Sequence, residues 1–226
     1  NGGDEAGLSR YLAKQGFNVA SIDYRLSRKG KSFGCDCATS IKMDTYIEAV
    51  ADLSKAINYL TKSTSIFKVD SSKIFLIGSS AGAEGSLAAV YMREYYLDNV
   101  EEYKSVNFVG MFSCAGALVD ASYITKANAV PSVLFHGTKD QLVPFDNAPH
   151  HFCEPTEDGY IMLDGSNIIS KKLEQFEMSY YFNIVKGGMH EISAIPFDDL
   201  DKVFNFFTQT VINDEIIQTK IIKTKE

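Results

Sequence analysis

A serine lies between two glycines in Gly78-Ser79-Ser80-Ala81-Gly82, directly after the apolar run 74–77. A serine hydroxyl is a weak nucleophile until a base takes its proton. A sharp strand-to-helix turn at this point would lift the Ser80 hydroxyl above a sheet, with a helix N-terminus aimed at a developing oxyanion. The competing reading is a glycine-rich turn with no chemistry. Four histidines are available as the base: His136, His150, His151 and His190. His190 follows the apolar run 180–185 in a loop loosened by Gly187 and Gly188, which is where a general base belongs. His136 ends its own apolar run and reads as a structural residue that orients the next loop. The base needs a carboxylate to fix its tautomer and stabilise the imidazolium. Asp140, in the loop after the run 131–136, supplies one. Asp146 in the same loop reads as a solvated carboxylate.

These residues need elements to hold them. Apolar runs at 17–22, 74–77, 107–112, 131–136 and 180–185 read as buried strands, the last of these the final strand of the chain. Helical periodicity separates them. A first helix is capped by Asp4, carries Leu8, Tyr11 and Leu12 on one face and stops at Gly16. Residues 27–43 read as a polar loop. The next helix starts near Asp44, with Thr45 and Glu48 as a capping box and Ile47, Val50, Leu53, Ile57 and Leu60 inward. A helix follows Ser80 as far as about Tyr95. Another is capped by Ser166, with Ile169, Leu173 and Phe176 inward. The last spans about 197–211 around Leu200, Val203, Phe204 and Phe207, and the charged tail 213–226 reads as a helical extension. Alternating strands and helices imply an α/β fold, a mostly parallel sheet with helices on both faces. Working residues in such sheets sit at the carboxyl ends of strands. Ser80, Asp140 and His190 each follow a different one.

Composition narrows the function. The 226 residues are 45% hydrophobic, enough for one domain with a substantial core, so residues 1–226 are read as a single domain. The net charge is −7 and lysines and arginines do not cluster, which argues against a nucleic-acid partner. No apolar run is long enough to span a membrane, and no signal peptide is visible. The sequence leaves the oligomeric state open. His150, His151 and Cys153 are metal-ligand types, but adjacent histidines tend to point apart and no second ligand group has zinc spacing, so no metal is expected. The four cysteines are few for a disulfide scaffold; Cys114 reads as a buried thiol, and either Cys153 bonds to Cys35 or Cys37 across the rim of the site or all four thiols are free. Such a disulfide would favour a secreted or periplasmic setting over a cytoplasmic one. Arg25 could bind a substrate carboxylate but reads as pinning its loop, and Tyr24 reads as packing. Glu84 reads as a carboxylate complementing the helix dipole. Residues 159–165 either line a substrate pocket or pack.

The stretches GFNVASIDYRLS (16–27), KIFLIGSSAGAEG (73–85), PSVLFHGTKDQLVPF (131–145) and VKGGMHE (185–191) resemble the α/β-hydrolase superfamily, in its carboxylesterase and lipase branch. Within it they look like the hormone-sensitive-lipase-like and feruloyl-esterase-like groups. The resemblance covers about residues 5–211, and its chain order of Ser, Asp and His is that of the superfamily. It implies Ser80 as nucleophile, Asp140 as acid, His190 as base, and the Ala81 backbone N–H as one oxyanion donor, with no cofactor. Families with this Tyr-Arg-Leu signature carry a glycine-rich oxyanion loop upstream, yet only Asn1-Gly2-Gly3 precedes the first helix here. A fragment lacking the first strands and most of that loop is therefore expected, with a gap in the sheet beside the nucleophile strand. The expected activity is hydrolysis of small or plant-polymer-derived carboxylic esters. The absence of a lid-sized insertion disfavours long-chain lipids. A peptidase or amidase using the same three residues, and a non-catalytic binding protein on this fold, are the alternatives.

Overall fold

A computed structural model describes residues 2–103 and 106–225, without the side chains of residues 2–4, 64 and 65. Helix α1 spans Gly2–Lys14, α2 Thr39–Lys62 and the short α3 Thr64–Phe67. Strand β1 (Ile74–Ser79) leads through Ser80 into α4 (Ala81–Tyr91), followed by one turn of α5 (Arg93–Tyr96). Then come β2 (Phe108–Cys114), β3 (Ala117–Leu118), β4 (Ser132–Gly137), β5 (Asn147–Pro149) and β6 (Met162–Gly165). Helix α6 (Ser166–Gln175), β7 (Tyr180–Lys186), α7 (Leu200–Phe207) and β8 (Gln218–Thr224) complete the order.

Five strands form a parallel sheet in the order β1-β2-β4-β7-β8. Side chains alternate faces along each strand, and both faces are apolar. Met111, Leu134, Phe182 and Ile184 pack with α2, α4 and α6. Phe112, Val133, Phe135 and Tyr181 pack with Leu8 and Leu12 of α1 and with Leu200, Val203, Phe206 and Phe207 of α7. The expected two-sided covering is thus observed. A small antiparallel sheet, β3-β6-β5, sits apart and closes its own cluster of Ala117, Val143, Ile161 and Leu163. Ile161 and Leu163 therefore pack.

Several expected elements differ. Residues 17–26 form neither strand nor helix. A strand needs a ladder partner for its N–H and C=O groups, and none lies beside this segment among the described residues. It is held instead by Phe17 against the rings of Phe75 and Phe204, by Asn18 donating to the Lys68 carbonyl, and by Arg25 on Asp52. The outer edge of β1 is likewise unpaired among the described residues. The helix expected at Asp44 begins at Thr39, because Thr39 Oγ1 donates to the carbonyls of Asp158 and Tyr160 and Lys42 Nζ to that of Gly159. Thr45 is then interior, its hydroxyl donating back to Ile41. Helix α1 already includes Asp4, whose side chain lies outside the described residues, while Gly16 ends it at φ +92°. Ser166 is not a cap: its hydroxyl faces His136 Nδ1 at 2.8 Å. The helix after Ser80 breaks at Met92, short of Tyr95. The charged tail is strand β8, not helix, because β7 offers an open edge and Lys220, Lys223 and Lys225 find Glu174, Asp199 and Glu191 beside it.

Candidate active site

Ser80 occupies φ 52°, ψ −126°, a strained turn between β1 and α4. Its N–H still donates to the Cys114 carbonyl at 2.8 Å, so the ladder with β2 holds the turn from one side. A β-carbon at Gly78 would lie 2.3 Å from the Gly82 carbonyl oxygen, so only glycine fits there. A β-carbon at Gly82 meets nothing within 4 Å among the described residues. Of the two flanking glycines, one is required by crowding and the other is not. The Ala81 N–H opens α4, where the helix itself offers no acceptor.

The structure brings the three sequence-derived residues together. Ser80 Oγ lies 2.8 Å from His190 Nε2. His190 Nδ1 lies 2.8 Å from Asp140 Oδ2. His190 opens a short 3-10 turn after β7, and Asp140 follows β4, both at carboxyl ends of the sheet. The two loops are zipped by the backbone: Thr138 N–H donates to Val185, Lys139 N–H to Gly188, and Gly187 N–H to Thr138 Oγ1. Ser79 Oγ donates to the Ser193 carbonyl at 2.6 Å, tying the serine turn to the histidine loop.

Asp140 is buried, which pushes its pKa up. Hydrogen bonds from His136, His190 and the Leu142 N–H outweigh that and hold the carboxyl well below the usual carboxylate range. Its Oδ1 accepts from Leu142 N–H at 2.9 Å and Val143 N–H at 3.1 Å. His136 lies beneath, its Nε2 3.1 Å from the Val143 carbonyl and 3.5 Å from Asp140 Oδ2, in the loop-orienting position expected of it. Asp146 instead accepts from Asn167 at the surface. An ionised carboxylate, an imidazole and a hydroxyl in series can pass a proton from serine to histidine while the carboxylate balances the new charge.

A second buried polar group beside the site is illegible in sequence, because its members come from distant segments. Glu84, one turn along α4 from Ser80, accepts from Tyr46 OH at 3.3 Å and lies 3.6 Å from His150 Nε2. Burial pushes its pKa up to about 8, so it is not the charged dipole partner expected. Burial and the neighbouring His151 depress His150 to about 3. Lys42, fully buried, donates to the Gly159 carbonyl. The rings of His150 and His151 lie 4.2 Å apart rather than pointing apart, since His151 adopts φ 57°.

Cys35 pairs with Cys153, while Cys37 and Cys114 are free and buried. Cys35, Cys153 and Glu157 are close enough to share a metal ion, but both sulfurs are already bonded to each other. Arg25 is engaged by Asp52 and Glu48 of α2, the pinning role, and Tyr24 is half-buried. A cavity of about 650 Å³ is lined by Thr138, Lys139, Gln141, Leu142, His151 and Phe152, around the Asp140 loop. No helix among the described residues is long and apolar enough to cross a membrane.

The parallel sheet with helices on both faces, and a serine turn joining strand to helix, define an α/β-hydrolase. The BD-FAE family model matches residues 3–120, and the chain belongs to that family of esterase-like hydrolases. It is 24% identical over 191 residues to endo-1,4-beta-xylanase B of Butyrivibrio fibrisolvens, covering 78% of this chain and 29% of that protein. Among solved structures it is similar to a puromycin-hydrolyzing peptidase of Mycobacterium tuberculosis, with a TM-score of 0.47 and 17% identity over 79% of this chain and 27% of that one. The chain therefore spans less than a third of either relative.

Proposed function

We propose that this chain is a serine carboxylic-ester hydrolase in which Ser80 is the nucleophile, His190 the base and Asp140 its acid partner. The observation that carries the reading is the unbroken series Ser80 Oγ, His190 Nε2, His190 Nδ1, Asp140 Oδ2, with 2.8 Å at both contacts. Ser80 Oγ attacks the ester carbonyl as His190 Nε2 takes its proton. The negative oxygen of the tetrahedral intermediate faces the Ala81 N–H and the α4 terminus. His190 returns the proton to the departing alcohol, leaving an acyl-serine. Water then attacks that ester, losing a proton to His190, and the acid is released as the serine is re-protonated. No step calls on a cofactor.

Small esters and acyl groups on plant polymers are the proposed substrates. The relative named as a xylanase supports the plant-polymer side. The test is hydrolysis of p-nitrophenyl acetate and butyrate by the wild type beside Ser80→Ala. Loss of at least about 10³-fold in kcat/KM is expected, the scale of removing a triad nucleophile. Activity surviving the substitution means another residue does the chemistry, and absence of activity in both removes the esterase reading.

A further inference from the structure

The turn His150–Cys153 beside the Asp140 loop is held in an unfavourable shape. His151 and Phe152 both adopt left-handed backbone, at φ 57° and φ 53°, which side chains with a β-carbon rarely take. Strain of this kind persists only where neighbouring structure over-determines it. Three fastenings do so here. His150 is buried over Glu84, with its ring edge-on to Phe33 at 5.8 Å. Cys153 is bonded to Cys35, whose carbonyl is itself fixed by the Gly159 N–H at 2.8 Å. Between them, the His151 N–H donates to the Leu142 carbonyl at 2.9 Å. The same Leu142–Val143 peptide donates its N–H to Asp140 Oδ1 at 3.1 Å, beside the Leu142 N–H at 2.9 Å.

We infer that the Cys35–Cys153 disulfide positions Asp140, acting through the strained His151–Phe152 turn and the Leu142 peptide, and so sets the alignment of His190. The inference rests on the proposed roles of Asp140 and His190. Its physical content is a direction of relaxation. With the disulfide opened, the turn can leave the left-handed region, and the rotation that relieves His151 turns its N–H away from Leu142. The Leu142–Val143 peptide, whose N–H donates to Asp140 Oδ1, is then free to drift from Asp140, whose other oxygen holds His190. The cysteines touch none of the reacting atoms, so they are positioning residues. The cavity between Leu142 and Phe152 is bounded by the same two segments and would widen with them.

The experiment is steady-state hydrolysis of p-nitrophenyl acetate at 25 °C by the oxidised protein, by protein reduced with dithiothreitol, and by the Cys35→Ser/Cys153→Ser double variant. Dithiothreitol supplies the two electrons and two protons that convert the disulfide to two thiols, becoming a cyclic disulfide itself. Circular dichroism establishes that each form is folded. The expected result is a fall in kcat of about tenfold with KM within about twofold, since sub-ångström misplacement of a catalytic group acts on the chemical step. The loss is shared by the reduced protein and the double variant and is restored in the wild type by re-oxidation. Equal kcat in folded oxidised and reduced protein overturns the inference. If the reduced protein is unfolded at 25 °C, His151→Pro carries the test. It removes the N–H and forbids the left-handed φ with the disulfide intact. It should show the same loss in kcat, and unchanged kcat overturns the relay through Leu142. Ser80→Ala is assayed alongside. Activity in that variant defeats the reading of the site itself, whatever the thiols do.

Discussion

Asp140 and Glu84 are two buried carboxylates on neighbouring elements, and their surroundings send them in opposite directions. Asp140 faces two backbone N–H groups and His190, with His136 close behind. Those donors overcome desolvation and keep it ionised. Glu84 faces one phenol at 3.3 Å and a histidine at 3.6 Å, and the nearby Lys42 ammonium is directed to the Gly159 carbonyl. Desolvation wins there, and the pKa rises to about 8. Burial does not by itself decide the charge of a carboxylate; the number of donors aimed at the ionised form does. In the proposed chemistry the ionised carboxylate sits behind the base, and the neutral one sits on the serine helix, one turn from Ser80.

Replacing Asp140 tests the ionised half of this contrast with the largest effect. Asp140→Asn keeps the shape but loses the charge and the tautomer control, and kcat should fall by about 10³- to 10⁴-fold. A loss below about tenfold would mean that His190 does not depend on this carboxylate. Asp140 also contributes stability that is present above the usual aspartate range near pH 3.8 and is lost as pH falls through its depressed folded value. The stability deficit of Asp140→Asn, read by urea denaturation, should therefore narrow on acidification.

Glu84→Gln tests the other half and leaves turnover near wild type. Folded protein keeps a proton on Glu84 between its ordinary 4.5 and about 8, where the unfolded chain has released it. Stability from this group therefore falls as pH rises through that window and levels off above it. Glu84→Gln should gain relative to wild type across the same range, by roughly 4 kcal/mol at pH 8, from about 1.4 kcal/mol per pKa unit. A difference that does not change with pH would show that Glu84 is ionised in the folded state. Tyr46→Phe is the smallest change. It removes a donor to the carboxylate, should lower stability by about 1 kcal/mol, and should extend the falling window to higher pH. An unmoved window would show that the phenol does not hold Glu84.

The same contrast explains what sequence could reveal. Ser80, Asp140 and His190 are legible because each lies in the turn or loop that follows an apolar run, and each run becomes a parallel strand. The strands β1, β2, β4 and β7 are buried on both faces, so composition alone marks them. β8 is hidden in the sequence because Lys220 and Lys223 make it look like a solvated tail, whereas its backbone completes the open edge of β7. Residues 17–22 have strand composition but no ladder partner among the described residues, and propensity cannot supply one. The start of α2 was set by bonds from Thr39 and Lys42 to residues more than a hundred positions away. Glu84, Tyr46, Lys42 and His150 share no spacing signal, since only the folded chain brings α2, α4 and the 150–153 turn together. The choice between Cys35 and Cys37 likewise rests on the folded loop, which bonds Cys35 to Cys153 and leaves Cys37 buried and free.

We propose that the Ser80 hydroxyl is made nucleophilic by His190 and Asp140. Intact-mass spectrometry after exposure to a fluorophosphonate tests it most directly. The account predicts one adduct per chain, mapped to Ser80 by peptide sequencing, absent from Ser80→Ala and formed far more slowly in Asp140→Asn. An adduct on another residue, or labelling of Ser80 at the same rate without Asp140, would contradict it.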